Sequence, residues 1–92
     1  MSREDIIALL DEDDEVIFFE PAYFDEAILG LTSTSPGWPI KPRVCYSSQK
    51  IVDILMRELD CAYEEALDYF GFNIQRFYTK EPPPPLLITD WT

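Results

Sequence analysis

The apolar positions of the chain fall in short groups separated by polar or proline-rich stretches. Ser2 and Asp5 form a helix-capping signature at the start of the first group. Carboxylates at a helix C-terminus oppose the macrodipole, so the acidic run that follows predicts the end of this helix near Leu10 or Asp11. The apolar side of the helix is predicted to hold Ile6, Ile7, Leu9 and Leu10.

Four β-prone groups predict the strands of a small sheet, at residues 16–19, 27–31, 43–46 and 86–88. A turn or single helical turn at 23–26 is expected between the first two strands. A proline-rich loop at 33–42 carries Trp38, an amphipathic side chain suited to anchoring a partner. Four consecutive prolines at 82–85 predict an extended polyproline connector before the last strand.

Two further helices are predicted between the third and fourth strands. Ser47 or Ser48 caps the first of them, and the segment 60–62 breaks the helical pattern before the second, at 63 to about 78. The core-facing positions are predicted to be Ile51, Val52, Ile54, Leu55 and Leu59, then Tyr63, Ala66, Leu67, Phe70, Ile74 and Phe77. The order αβββααβ predicts one α+β domain over 1–92, with a three- to four-stranded sheet covered by helices.

Charge is distributed unevenly along the chain. The 92 residues include 18 carboxylates and 7 Lys or Arg side chains, for a net charge of −11 at pH 7. Residues 1–31 hold ten of the acids and a single base, Arg3. This charge repels nucleic acids and anionic membranes, so the expected partner is a protein with a basic surface, without direct nucleic-acid binding.

Residue types that carry catalysis are scarce. The chain has no histidine, its three glycines are isolated, and Cys45 and Cys61 lack the histidine of a Cys–His nucleophile pair. We therefore expect no enzyme activity and no cofactor. The cysteines are expected to be reduced thiols in a cytoplasmic protein, with a Cys45–Cys61 disulfide as the alternative. No signal peptide and no run of about 20 apolar residues is visible, so no membrane association is expected.

The acidic run at 11–15 is predicted to form a turn, and its role has three interpretations. A calcium-binding EF-hand loop counted from Asp11 needs glycine at its sixth position and glutamate at its twelfth, where this chain has Val16 and Ala22. No dedicated metal site is therefore predicted. A solvated acidic turn, weak association of Mg²⁺ or Ca²⁺ with clustered carboxylates, and docking to a partner all stay open.

An aromatic residue is expected on the polar side of the last helix. At about 100° per residue, Phe72 lies about 180° from Tyr63, among Glu65, Asp68 and Arg76. Either helix one or the C-terminal tail covers Phe72, or the residue belongs to an aromatic hot spot with an acidic rim. The candidate partner-binding residues are Asp11, Glu12, Asp13, Asp14, Glu15, Asp25, Glu26, Trp38, Glu65, Asp68, Tyr69 and Phe72.

The segment 46–81 carries a second kind of pattern. A tyrosine opens it, a helix ending in Leu-Met follows, and Tyr-Glu-Glu-Ala, an aromatic-Asn pair and a closing glutamate complete it without a gap. The matching residues are Tyr46, Lys50, Ile51, Leu55, Met56, Tyr63-Glu64-Glu65-Ala66, Tyr69, Phe72-Asn73, Tyr78 and Glu81. The segment resembles a family of small proteins encoded by tailed bacteriophages. The resemblance implies a phage origin and a fold, and it implies no activity.

The chain departs from this family at three places. Ser47 stands where an acid is usual, Lys80 stands where glycine is usual, and Asp60-Cys61-Ala62 replaces Gly-Met-Ser. The missing serine at 62 moves the expected helix cap to Asp60.

Charge, size and resemblance together predict a phage-encoded protein that binds and inhibits a host protein in the bacterial cytoplasm. If its carboxylates occupy a groove that normally holds nucleic acid, the chain is a nucleic-acid mimic, as anti-restriction and anti-CRISPR inhibitors are, and serves host-defence evasion. The alternative is a small structural or assembly protein that self-associates, for example as a homodimer, with acidity serving solubility alone.

Overall fold

Helices and a three-stranded mixed sheet make up the fold, in the order αββααβ. The structure, a computed structural model, describes residues 2–12, 14–33, 42–75 and 84–89. The elements are α1 (Arg3–Ala8), a 3₁₀ helix (Ala22–Ala27), β1 (Ile28–Ser33), β2 (Pro42–Ser47), α2 (Ser48–Glu58), α3 (Tyr63–Tyr69), a π-helical segment (Phe70–Gln75) and β3 (Leu86–Ile88). The predicted α+β class is confirmed, whereas one predicted strand is missing.

The capping box predicted for α1 is present. The Ser2 hydroxyl accepts from the Asp5 N–H at 3.3 Å, and the Asp5 carboxylate accepts from the Ser2 N–H at 3.0 Å. Hydrogen bonding to its charged form lowers the pKa of Asp5. Of the predicted apolar side, Ile6 is buried, but Ile7 and Leu9 are exposed. The prediction fails because these two positions lie about 100° and 60° from Ile6, on either side of it, so a six-residue helix cannot bury all three.

The predicted strand at 16–19 is wrong, because this segment forms no ladder. Phe19 is buried, and its N–H donates to the Tyr46 hydroxyl at 3.0 Å, while the two rings lie 4.7 Å apart. Val16 and Phe18 pack against the core more loosely. Within 16–19 only Phe19 is buried, and the Tyr46 hydroxyl takes the place of a neighbouring strand as its backbone acceptor.

β1 pairs with β2 in antiparallel register, with a bulge near the start of β1. Ile28 pairs with Tyr46 and Gly30 with Cys45, so Leu29 is the extra residue and is exposed. Gly30 has a φ of +158°, a value that residues with a Cβ rarely adopt. The predicted strands at 27–31 and 43–46 are thus confirmed with shifted ends.

β3 pairs with β2 in parallel, which makes the sheet mixed and places β2 in the middle. Parallel neighbours need a long crossover connection, and here α2 and α3 lie within it. The Arg43 Nε–H donates to the Pro84 carbonyl at 2.8 Å and so ties the chain before β3 to β2. Of the predicted loop at 33–42 and connector at 82–85, residues 34–41, including Trp38, and 82–83 lie outside the described part of the chain.

α2 supplies much of the core. The Ser47 hydroxyl accepts from the Lys50 N–H at 3.1 Å, which confirms the predicted cap, and four of the five predicted apolar positions are buried. Leu59 is exposed because it follows the last helical residue as the C-cap. The core comprises Ile6, Phe19, Phe24, Ala27, Ile28, Val44, Tyr46, Ile51, Val52, Ile54, Leu55, Ala66, Phe70 and Ile74.

α3 begins at Tyr63, and its cap is Ala62, which offers no capping side chain. The expected cap at Asp60 is wrong: this residue has a φ of +48° and lies in the turn between α2 and α3. Tyr63 was predicted to face the core, yet it is exposed as the first helical residue. The α-helix changes to a π-helix at Phe70, and the predicted continuation to 78 runs beyond the described residues after 75.

Candidate functional site

Some of the acids predicted to bind a partner already form ion pairs with arginines of the same chain. Arg3 donates from Nη1 to Glu20 at 2.8 Å and forks from Nε and Nη2 onto both oxygens of Asp25 at 3.1 and 3.0 Å. Its Nη2 also reaches the Phe19 carbonyl at 3.4 Å, and its Cζ lies 4.6 Å from the Phe18 ring centroid. We call Arg3, Phe18, Glu20 and Asp25 the Arg3 cluster.

Geometry and burial make the Arg3 cluster more than a surface ion pair. The side chains of Arg3 and Asp25 are only 24% and 21% exposed, so solvent screens them less than it screens a surface pair. Hydrogen bonds to Glu20 and Asp25 raise the pKa of Arg3, which keeps the guanidinium charged. The cluster joins α1 to residues 18–20 and to the 3₁₀ helix, where Asp25 lies, and its stacked, forked geometry suits arginine.

Glu26 is engaged in a second, more exposed ion pair. Arg57 donates to both Glu26 oxygens at 3.0 and 3.2 Å and from Nε to Glu58 at 3.2 Å. This pair borders an open groove of about 260 Å³ beside α2, which Lys50, Asp53 and Ile54 also line. Charges of both signs meet there, so the groove has no single electrostatic preference.

The acidic run forms a turn that closes on its own groups. The Asp14 N–H donates to the Asp11 carbonyl at 3.1 Å, and the Asp11 N–H donates to the Asp14 carboxylate at 3.0 Å. Asp11, Glu12 and Glu15 are exposed, and Asp13 lies outside the described residues. Within the described ranges no Lys or Arg side chain pairs with these carboxylates. The turn therefore presents charge to solvent without a counterion in the part of the chain that the structure describes.

The outer side of α3 carries a second set of acids beside an exposed aromatic ring. Phe72 is 67% exposed, so helix one does not cover it, whereas the C-terminal tail at 90–92 lies outside the described residues. Glu65 and Asp68 are exposed, and Tyr69 is half-buried. Spacings of three and four residues make these side chains neighbours on a helix. We call Glu65, Asp68, Tyr69 and Phe72 the Phe72 face.

The position of the Phe72 face follows from the packing behind it. Ala66, Phe70 and Ile74 are buried on the opposite side of the helix and hold it against the core. The Asn73 side-chain amide donates to the Tyr69 carbonyl at 3.3 Å, where the wider π-helical turn begins. Isolated π-helical turns are frequent at functional sites. Among the described bases, none forms an ion pair with the carboxylates of this face.

Other kinds of site find less support in the part of the chain that is described. There, no group of three or more His, Cys, Asp or Glu side chains is arranged to hold a metal ion. No helix among these residues is long and apolar enough to cross a membrane. Cys45 and Cys61 are both free, and burial raises the pKa of the Cys45 thiol, which makes it a weak nucleophile.

Sequence reasoning missed the Arg3 cluster and the groove beside α2. The one available signal was that Arg3 is the only base among ten acids in residues 1–31, which made an internal partner for it probable on charge grounds alone. Its particular partners, Glu20 and Asp25, are 17 and 22 positions away and depend on the fold. The groove gave no signal because its residues are ordinary on a helix surface.

Comparison of the chain with known protein families, with curated proteins and with solved structures finds no match. The resemblance of residues 46–81 to tailed-phage proteins therefore stays a prediction.

Proposed function

We propose that this protein is an acidic interaction module that binds a basic surface of another protein through the Phe72 face. The observation that carries the proposal is the 67% exposure of Phe72 beside Glu65 and Asp68, which have no base partner among the described residues. An exposed aromatic ring with a charged rim is the composition of an interaction hot spot.

The acidic turn at 11–15 adds a second region of negative potential. Its carboxylates steer a basic partner toward the protein and raise the association rate, most strongly at low ionic strength. Asp25 and Glu26 contribute less, because Arg3 and Arg57 already neutralise them. Trp38 remains a candidate anchor on sequence grounds.

The resemblance to phage proteins motivates the choice of partner, which is a host protein in the bacterial cytoplasm. Binding at a basic groove blocks whatever that groove normally holds, so the chain acts as an inhibitor. Where the groove holds nucleic acid, the protein is a mimic of it and evades a host defence. Carboxylates that meet Lys and Arg side chains in place of phosphates are the physical basis of such mimicry.

A capture experiment from nuclease-treated bacterial lysate tests the proposal. The tagged protein is compared with a Glu65→Gln/Asp68→Asn variant and with a Glu4→Gln/Asp53→Asn control, which removes the same charge from exposed acids elsewhere. We expect a nucleic-acid-handling protein that salt or added DNA or RNA displaces, and that the Phe72-face variant alone loses. Equal capture by all three proteins would contradict the proposal.

Self-association is the alternative function, and exposed apolar side chains are the observation that favours it. They lie on separate elements: Ile7 and Leu9 at α1, Leu29 in β1, Leu59 after α2 and Tyr63 in α3. Against self-association, a homodimer brings together two chains of net charge −11, which repel each other. Light scattering separates the two functions, because a stable oligomer that is insensitive to salt would support self-association.

A further inference from the structure

We infer that the side chain of Arg3 occupies a guanidinium-binding site of its own chain, and that an arginine of a partner protein takes this site by displacing Arg3. The site is formed by Phe18, Glu20 and Asp25, which we call the guanidinium pocket. It shares no residue with the Phe72 face, so it adds a second contact to the proposed function without resting on it. The pocket stays closed until a partner brings an arginine of its own.

The contacts of Arg3 show that the guanidinium pocket fits both the edge and the face of a guanidinium. Asp25 accepts on both carboxylate oxygens, at 3.1 Å from Nε and 3.0 Å from Nη2. Glu20 accepts from Nη1 at 2.8 Å, and Cζ lies 4.6 Å from the centroid of the Phe18 ring. A planar cation with five N–H donors uses all of these groups at once, whereas a compact ammonium does not.

The guanidinium pocket is open to solvent on the side of Glu20. The Glu20 side chain is 65% exposed, whereas the side chains of Arg3 and Asp25 are 24% and 21% exposed. Solvent therefore screens a charge pair at Asp25 less than it screens a pair at Glu20. An incoming arginine can pair first with Glu20 and then replace Arg3 at Asp25.

Arg3 can leave the guanidinium pocket while α1 stays in place. Ser2 and Asp5 cap the helix through two hydrogen bonds that do not involve the side chain of Arg3. Ile6 is buried and holds the helix against the core. Displacement therefore needs a change of rotamer in one long side chain, and it needs no local unfolding.

Attachment to the same chain lets Arg3 exclude isolated cations. A tethered group competes at an effective concentration on the order of millimolar or higher, so a single free arginine does not displace it. A basic protein also meets the exposed carboxylates of the acidic turn at 11–15. Phe18 follows Glu15 by three positions and so lies within about 11 Å of it along the chain. Contacts at both places supply the avidity that displacement requires.

Ethylguanidinium chloride and ethylammonium chloride, added to the ¹⁵N-labelled full chain at equal concentration, test the pocket. We expect ethylguanidinium to shift amide signals at 18–25 of Arg3→Ala saturably, and to bind this variant at least about tenfold more tightly than the parent protein. At about 50 mM it should also raise the melting temperature of Arg3→Ala by about 4 °C more than ethylammonium does. Equal affinity of parent and variant, or equal effects of the two cations, overturns the guanidinium pocket.

Three further variants control this experiment. Arg3→Lys is the less disruptive change and leaves a weaker occupant, so its affinity for ethylguanidinium should lie between those of the parent and Arg3→Ala. Arg3→Ala/Asp25→Asn should lose the gain, because the forked acceptor is removed. Arg57→Ala frees Glu26 and Glu58 instead, and no ring stacked on Arg57 is found among the described residues. Its gain should be at least about tenfold smaller than that of Arg3→Ala.

Two peptides of equal charge, (Gly-Ser-Arg)₄ and (Gly-Ser-Lys)₄, test displacement in the parent protein. The Nε–H signal of Arg3, identified by its loss in Arg3→Lys, should move in step with the amide signals at 18–25 as the arginine peptide is added. The lysine peptide should act at least about fivefold more weakly. Displacement is overturned if signals at 18–25 move while the Arg3 signal stays, or if neither moves. Each of these outcomes leaves the Phe72 face standing, because the capture experiment tests that face through Glu65 and Asp68.

Discussion

The Arg3 cluster and the Phe72 face contain the same kinds of side chain in opposite situations. Around Arg3, Phe18 and two carboxylates contact a guanidinium whose side chain is 24% exposed. On α3 and the π-helical segment that follows it, Glu65, Asp68 and Phe72 face solvent, and no described base pairs with the two acids. In one arrangement an arginine pairs the carboxylates within the fold, and in the other the carboxylates have no base partner among the described residues.

This difference shows that acidity alone does not locate a binding surface. Asp25 and Glu26 are adjacent to one another and look like the other acids in the sequence, yet each is paired with an arginine. The useful quantity is whether a carboxylate has an internal partner. Substitutions that remove either arrangement should therefore have separate consequences for stability and for binding.

The largest expected effect on stability belongs to the Arg3 cluster. Arg3→Met leaves the half-buried Asp25 carboxylate without its forked donor, so we expect the free energy of unfolding to fall by about 2 kcal/mol and the melting temperature by about 10 °C. Arg3→Lys keeps the charge but loses the forked hydrogen bonds, so its stability should lie between that of Arg3→Met and that of the parent protein. Thermal and urea unfolding measure both, and an unchanged melting temperature for Arg3→Met would show that the cluster is not structural.

Tyr46 links the same region to the sheet and gives it an alkaline pH dependence. Burial raises the pKa of Tyr46 from 10.0 to about 12, so the folded state favours the neutral phenol. The folded protein then holds a proton that the unfolded chain has released, and this stabilisation is present below pH 10 and lost as the pH rises to about 12. Urea unfolding at a series of pH values should show the decline.

Tyr46→Phe is the control for this pH dependence. Above pH 10 the free energy of unfolding should change less with pH in the variant than in the parent. Some dependence remains from Tyr23, because burial raises the pKa of Tyr23 as well. At neutral pH it should be less stable by about 1 kcal/mol, since the Phe19 N–H loses its acceptor. An identical alkaline profile in parent and variant would assign the effect to other groups.

A smaller effect, of opposite sign, is expected next to the Phe72 face. A Cβ added at Gly71 meets no atom within 4 Å, so Gly71→Ala should raise the free energy of unfolding by about 0.5–1 kcal/mol through the unfolded state. Gly30→Ala is the matched control and should destabilise, because φ at that position is +158°. Denaturant midpoints measure both variants. Equal shifts for Gly71→Ala and Gly30→Ala would contradict the claim that the backbone conformation at each glycine decides the effect.

The smallest effect on stability is expected for the Phe72 face itself. Phe72→Ala and Glu65→Gln/Asp68→Asn should each change the free energy of unfolding by less than about 0.5 kcal/mol, because these side chains are exposed. The same variants should lose the partner in the capture experiment. A large loss of stability would instead make this face part of the core, and the contrast with the Arg3 cluster would disappear.

The parts of the fold that could be predicted are those set by neighbouring residues. Caps at Ser2 and Ser47 follow from hydroxyls placed three positions before the N–H that each accepts from. The buried face of α2 follows from its helical period, and the strands ending at Ser47 and Ile88 follow from β-prone groups bounded by polar or proline residues. Local chemistry was sufficient for each of these.

The parts that could not be predicted depend on contacts between distant positions. Segment 16–19 resembles a strand, but its backbone partner is a hydroxyl 27 positions away on Tyr46. The exposure of Phe72 was one of two open interpretations, since helical periodicity places a residue on a face without showing what covers it. The change to a π-helix at Phe70 also alters the period in which the later positions were read.

The parallel pairing of β3 with β2 has a consequence for how the chain folds. Cys45 pairs with Leu86, 41 positions further along the chain, whereas β1, β2 and the α2–α3 pair are joined by closer contacts. Bringing β2 and β3 together closes a long loop, which costs chain entropy. This cost is smaller once the helices between the two strands have docked. The third strand is therefore expected to join after the folding transition state, so substitutions in β3 should accelerate unfolding while leaving the folding rate nearly unchanged.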